Sequence, residues 1–331
     1  MAVPNTGDWP VNSITATNQY TGTVTWNPNH STFATNTTYT ATITLTARTG
    51  YTFQGVPANF FTVAGATSVT NTANSGVVRA VFPPVLPFGG GTGTSNDPYI
   101  IQNGSQFQNI PLYSRSCFIL ANDINIADGS NIAPLASFYG VLNGNGKWVT
   151  YNQVVGNDGP YGLFQENFGL IQDMDVLTFI YGAISPSGMV YVGGIAGKNT
   201  PVARTSNTGK IVNCRVSGVI TIKNLHVYGG INNLDPSITS DYPNVGGIVG
   251  RNTGIISNCS YEHYRTFSRV YNGFFGGIAG KHSGGSITGC SNLTTIIVHS
   301  NSDSYFKAGQ IVGCTDIRGA MSNNNSWGYS Y

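Results

Sequence analysis

Few side chains in this sequence could do chemistry, and their spacing limits what that chemistry could be. Cleaving a polysaccharide needs either two carboxylates about 5 to 10 Å apart or a cluster of acids holding calcium. The close pair here is Asp173 and Asp175 in "DMD", which a strand would present on one face. Asp173, however, heads a column continued by Asn213 and Asn258, the pattern of a structural amide ladder rather than an acid. His282 in "KHSGG" is a weak echo of a glycosidase histidine. Cys214, Cys259 and Cys290 recur at one place in a repeated phrase without the close C-x-x-C pair and histidines of a metal set. Neighbouring parallel strands rarely give disulfide geometry without strain, so buried free thiols in a structural ladder are expected. These residues favour a chain that is not an enzyme and uses no cofactor or metal, with a polysaccharide lyase or hydrolase as the third reading.

Residues suited to binding are more numerous. Lys198, Arg251 and Lys281 share one repeat position, with Glu166 at its head and Cys314 at its end. Stacked, the three cations could grip an anionic glycan, or fan into water with Glu166 paired to Lys198 and Asp175 to Arg215. "SYEHYRTFSRVYNGFF" offers Tyr264, Arg265 and Arg269 as a contact surface suited to sugar stacking or a protein interface. The tail "MSNNNSWGYSY" offers Trp327, Tyr329 and Tyr331, either as a contact surface or as a cap on the last coil.

The elements that position these residues are repeats. "VGGIAGKN", "VGGIVGRNTGIISNCS" and "FGGIAGKHSGGSITGCS" align into columns: Leu163, Ile195, Ile248, Ile278 and Ile311, then Ile171, Ile211, Ile256, Ile287 and Met321, then Met174, Cys214, Cys259, Cys290 and Asn324. If each copy is one coil of a parallel β-helix, equivalent residues stack about 4.8 Å apart and the cysteine is one rung of an inward ladder. Crossover preference makes the coil right-handed. In 331 residues there are 43 glycines, 8% charged residues and a net charge of +2. That is an all-β composition without the basic block of a nucleic-acid binder, and no apolar run is long enough to span a membrane. "MAVPNTGDWP" has neither the basic nor the apolar region of a secretory signal.

Before the repeats, residues 20–83 read as short antiparallel strands. In "TATITLTA", Ile43 and Leu45 fall on one face and Thr42, Thr44 and Thr46 on the other. The expectation is an N-terminal arm (1–19), an Ig-like β-sandwich (20–83), a Pro- and Gly-rich linker or cap (84–97) and a right-handed parallel β-helix (98–331). "FGGGTGTSNDPYII", "LANDINI", "GVLNGNGKWVTY", "YGLF", "VGGIAGKN" and "IISNCS" resemble the GLUG-motif repeats of bacterial surface proteins and some large-virus proteins. Residues 20–83 are similar to small β-sandwich modules that accompany such repeats. The resemblance implies architecture and an exterior location, with no common catalytic residue to carry over. Two functions follow as expectations. One is a structural component of a virion exterior or cell surface, contacting other structural proteins or copies of itself. The other is a secreted adhesin binding glycan or host protein.

Overall fold

The structure, a computed structural model, describes residues 3–326 except 127–129, 157, 185–189, 203–207, 225–242, 263–265, 270, 271, 294, 295, 300–304, 316–319 and 323. The chain divides into two units, Met1–Gly90 and Gly91–Tyr331.

In the first unit the strands Tyr20–Asn27, Thr40–Ala47, Ser68–Asn71 and Val77–Val81 form one antiparallel sheet in the order first, second, fourth, third. Alternation dictates its two faces: Ala41, Ile43 and Leu45 are buried, while Thr44 and Thr46 are exposed. Trp26, Phe33, Tyr39, Phe82 and Val85 complete the core, with the Phe33 ring 4.8 Å from those of both Trp26 and Tyr39. The expected sandwich is not what the described residues form. Its second layer is built from segments outside the sheet, such as those holding Phe33, Phe53, Phe61 and Val85, so loops do the covering that a second sheet would do. The N-terminal arm runs beside the first strand, where Ser13 bridges Thr23, and Thr6 is buried with its hydroxyl donating to Leu86 O at 2.6 Å.

The second unit is a parallel β-helix with four sides. Strands of one coil are Val190–Gly193, Ala196–Asn199, Lys210–Val212 and Arg215–Asn224; those of the next are Asn244–Gly246, Val249–Asn252, Ile255–Ser257 and Ser260–Glu262. Each pairs in parallel with its counterpart, so a side is a sheet running along the axis. The predicted columns stack as read. Ile171, Ile211, Ile256 and Ile287 are in register and fully buried, and Leu163, Ile195, Ile248 and Ile278 are buried beside them. At Gly247, a Cβ would lie 2.2 Å from Gly277 O and from the Tyr261 ring, which explains the glycine in the phrase. Early in this unit, a short helix at Gly104–Gln108, capped by Asn103 accepting from Gln106 N, was not anticipated; it drives Phe107 into the core, 6.3 Å from Phe164. Among the described residues no helix is long and apolar enough to cross a membrane.

Candidate functional site

The corner between the third and fourth sides holds Asp173. Asp173, Asn213, Asn258 and Gly289 occupy this corner in successive coils with φ of 55°, 52°, 53° and 63°. The left-handed conformation explains why only Asp, Asn and Gly appear there. The side chains form a ladder: Asn213 Nδ2 donates to Asp173 Oδ1 at 3.0 Å and Asn258 Nδ2 to Asn213 Oδ1 at 3.3 Å, while Gln172 Nε2 donates to Asp173 Oδ2 at 2.8 Å. The Asp173 carboxylate is thus held as an acceptor at a structural corner.

One residue further on, Met174, Cys214, Cys259 and Cys290 point inward and are buried, and the cysteines are free. Each cysteine lies within sulfur hydrogen-bond distance of a carbonyl two residues earlier: Cys214 Sγ donates to Val212 O at 3.3 Å, Cys259 Sγ to Ser257 O at 3.3 Å and Cys290 Sγ to Thr288 O at 3.4 Å. Burial pushes the Cys259 thiol well up, and the flanking thiols of Cys214 and Cys290 add to this. Thiolate chemistry at Cys259 is therefore suppressed, whereas the hydrogen bond from Cys259 lowers the Cys290 thiol. Replacing Cys259 with Ser puts a stronger dipole into an apolar column and should destabilise the unit by about 1–3 kcal/mol. Thiol titration of the native protein should be slow and should accelerate on unfolding; rapid native labelling would show the ladder to be open.

The second side holds a polar column that the sequence reading missed. Asn167, Asn199, Asn252 and His282 are in register and fully buried. Asn167 Nδ2 donates to Asn199 Oδ1 at 2.9 Å, Asn199 Nδ2 to Asn252 Oδ1 at 2.8 Å, and Asn252 Nδ2 meets His282 Nδ1 at 3.1 Å. Asn252 Oδ1 also accepts from Gly254 N at 3.2 Å, which orients the amide and makes His282 Nδ1 the acceptor. The ring proton then sits on Nε2, which is buried without a hydrogen-bond partner among the described residues. Burial lowers the His282 pKa from its usual 6.5. This histidine ends a structural ladder of buried amides. The signal was the third letter of "QEN", "GKN", "GRN" and "GKH": alternation along the strand puts it inward wherever the cation before it points outward.

The cations do stack in register as Lys198, Arg251 and Lys281 below Glu166. They do not fan freely into water. Lys281 is buried, with its Nζ 5.6 Å from the Phe274 ring centre, and the Lys198 ammonium sits 4.6 Å from that of Tyr191. The expected Glu166–Lys198 pair is replaced: the Glu166 carboxylate accepts from the Thr200 hydroxyl at 2.5 Å. The pair on the fourth side does form, with Arg215 Nη2 2.6 Å from Asp175 Oδ2, its guanidinium 4.8 Å from the Trp148 ring centre and Glu262 at 3.8 Å. Among the described residues no three His, Cys, Asp or Glu come together as a metal site. Tyr264, Arg265, Trp327, Tyr329 and Tyr331 lie outside the described residues; Arg269 ends the strand Thr266–Arg269, which pairs with Ile296–His299.

A model of the GLUG motif matches residues 241–260, so the chain carries the motif expected from its wording. No curated protein matches the chain. Among solved structures, a protein from Bacteroides ovatus provisionally named an immunoglobulin A1 protease is similar at 18% identity and a TM-score of 0.47, over 74% of this chain and 80% of that one.

Proposed function

From the GLUG motif and the β-helix that carries it, we propose that this chain is a non-catalytic interaction protein of a particle or cell exterior, surface-bound or secreted. One observation carries the reading: the side chains that chemistry would need are committed to the scaffold. Asp173 is a rung of the corner ladder, Asp175 is clamped by Arg215, His282 closes the internal amide ladder and the thiols face the core. A right-handed coil stiffened by such ladders is a scaffold that presents surfaces, and the first unit serves as a spacer. In the leading form the contacts are with other structural proteins or with copies of the chain, on a virion or a microbial cell. The second form, an adhesin that binds glycan, is favoured by one specific feature, an open aromatic strip on the fourth side.

The test is incubation of the full chain with neutral and uronic-acid polysaccharides and with protein substrates, with and without calcium. No new reducing ends or peptide fragments should appear. Cleavage that disappears in Asp173→Asn or Asp175→Asn would replace this reading with an enzymatic one.

A further inference from the structure

We propose that the outer face of the strand Asp175–Ile184, at Phe179 and Tyr181, is a platform for a neutral glycan chain; the inference rests on the exterior-binding reading above and deepens its second form. Residues two apart on a strand project from the same face, so the two rings stand side by side about 7 Å apart. They are 45% and 50% exposed, beside Val154 at 46%. Burying such rings is normally favourable, and among the described residues of the second unit these two are the most exposed aromatics. The Trp148 ring has Arg215 over it, Tyr139 stacks on Phe168 at 4.8 Å beneath Arg115, and Tyr191 carries the Lys198 ammonium. Among the described residues, Phe179 and Tyr181 make no such ring contact.

The surroundings identify the ligand. In the parallel register, Leu177 lies between Thr150 and Ser217, Phe179 between Asn152 and Val219, and Tyr181 between Val154 and Thr221. Each ring thus has one polar and one valine neighbour, the Asn152 amide beside Phe179 and the Thr221 hydroxyl beside Tyr181, with the Thr150 and Ser217 hydroxyls one step back along the row. A pyranose offers the matching arrangement, an apolar C–H face for the ring and equatorial hydroxyls for the border. The Tyr181 hydroxyl accepts from Asn131 Nδ2 at 3.1 Å, which holds its ring in place before any ligand arrives. Arg215 engages both Asp175 and Glu262, one cation against two carboxylates, and the excess negative charge disfavours a uronate and so favours an uncharged chain. A specific protein interface needs about 800 Å² from each partner, whereas two rings and a valine make a strip one strand wide, the size of a few sugars.

The experiment titrates the full chain with cellohexaose, mannohexaose and xylohexaose at millimolar concentration, followed by calorimetry and by ligand-observed NMR. At least one should bind. Phe179→Ala and Tyr181→Ala should each weaken it by roughly tenfold. Tyr181→Phe should retain most of the affinity, and Tyr51→Ala, an exposed ring of the first unit, should change nothing. Because the side chains point outward, unchanged melting of the variants confirms that they fold. The proposal is overturned if none of the hexasaccharides binds, or if both alanine variants bind like the parent. It is also overturned if those variants instead abolish self-association in sedimentation, which would make the face a contact between copies. Failure of the non-catalytic reading would look different: the hexasaccharide would be cleaved, while its binding would still depend on Phe179 and Tyr181.

Discussion

Asn199→Ala should lower the unfolding free energy of the coil unit by about 3–5 kcal/mol, read from urea denaturation. Asn199 accepts from Asn167 and donates to Asn252 and to Gly209 O at 2.9 Å, with no exposure to water. Alanine removes these bonds together and leaves a cavity that apolar neighbours cannot close. An unpaired buried carbonyl costs more than the bond it lost, because the unfolded chain gives that group to water. Since coils contact chiefly their neighbours, the loss should loosen adjacent coils first, broadening the transition as well as shifting it. Thr200→Ala is the control. It removes a hydroxyl bond to the Glu166 carboxylate at the half-buried edge of the same strand, and its effect should stay below about 1 kcal/mol. If Asn199→Ala were equally mild, water would have to be filling the ladder.

Acid should weaken the same column from its far end. The folded pKa of His282 lies below 6.5, so the unfolded chain takes up the proton first. Stability from this group is therefore fully present above about pH 6.5 and is lost as pH falls below it. The slope approaches about 1.4 kcal/mol per pH unit until the folded value is passed. Two causes act together. The ring is buried, and protonation would turn Nδ1 into a donor facing the Asn252 Nδ2 donor. His282→Asn extends the amide ladder and should abolish the slope, giving a variant more stable than the parent at pH 5. Denaturation midpoints measured from pH 7.5 to 4.5 decide the matter; parallel curves for parent and variant would remove His282 as the cause.

The fold was legible where the sequence repeats itself. Identical phrases force identical inward residues, so the isoleucine and cysteine columns could be read by alignment, and the register agrees at each rung. The Asp173, Asn213 and Asn258 ladder was legible for the same reason, although the left-handed backbone behind it was not. The buried amides escaped because Asn is ordinarily a surface residue, and their column is inward only by its parity with the cations before it. Phe179 and Tyr181 escaped because that strand has no echo in the later coils, where Val219 and Thr221 stand at the same places. The sandwich was over-read: four alternating strands specify one buried face, and nothing in alternation says whether a sheet or loops will cover it.

The four-sided coil has one consequence for how such a chain can vary. From Gln172 onward the corner between the third and fourth sides keeps two residues, the first of them left-handed at Asp173, Asn213, Asn258 and Gly289, whereas four residues fill it in the preceding coil, between Asn143 and Trp148. The passage from the fourth side back to the first is different. It runs from Ile184 to Val190 in one coil and from Asn224 to Asn244 in the next, yet the strands on both sides of it keep the same parallel register. Length is therefore free at this seam, as it is at the passage from the second side to the third, which runs from Asn199 to Lys210 in one coil and from Asn252 to Ile255 in the next. Such passages are where a lineage could add or trim a loop, and where an engineer could graft a foreign epitope, without rewriting a single rung.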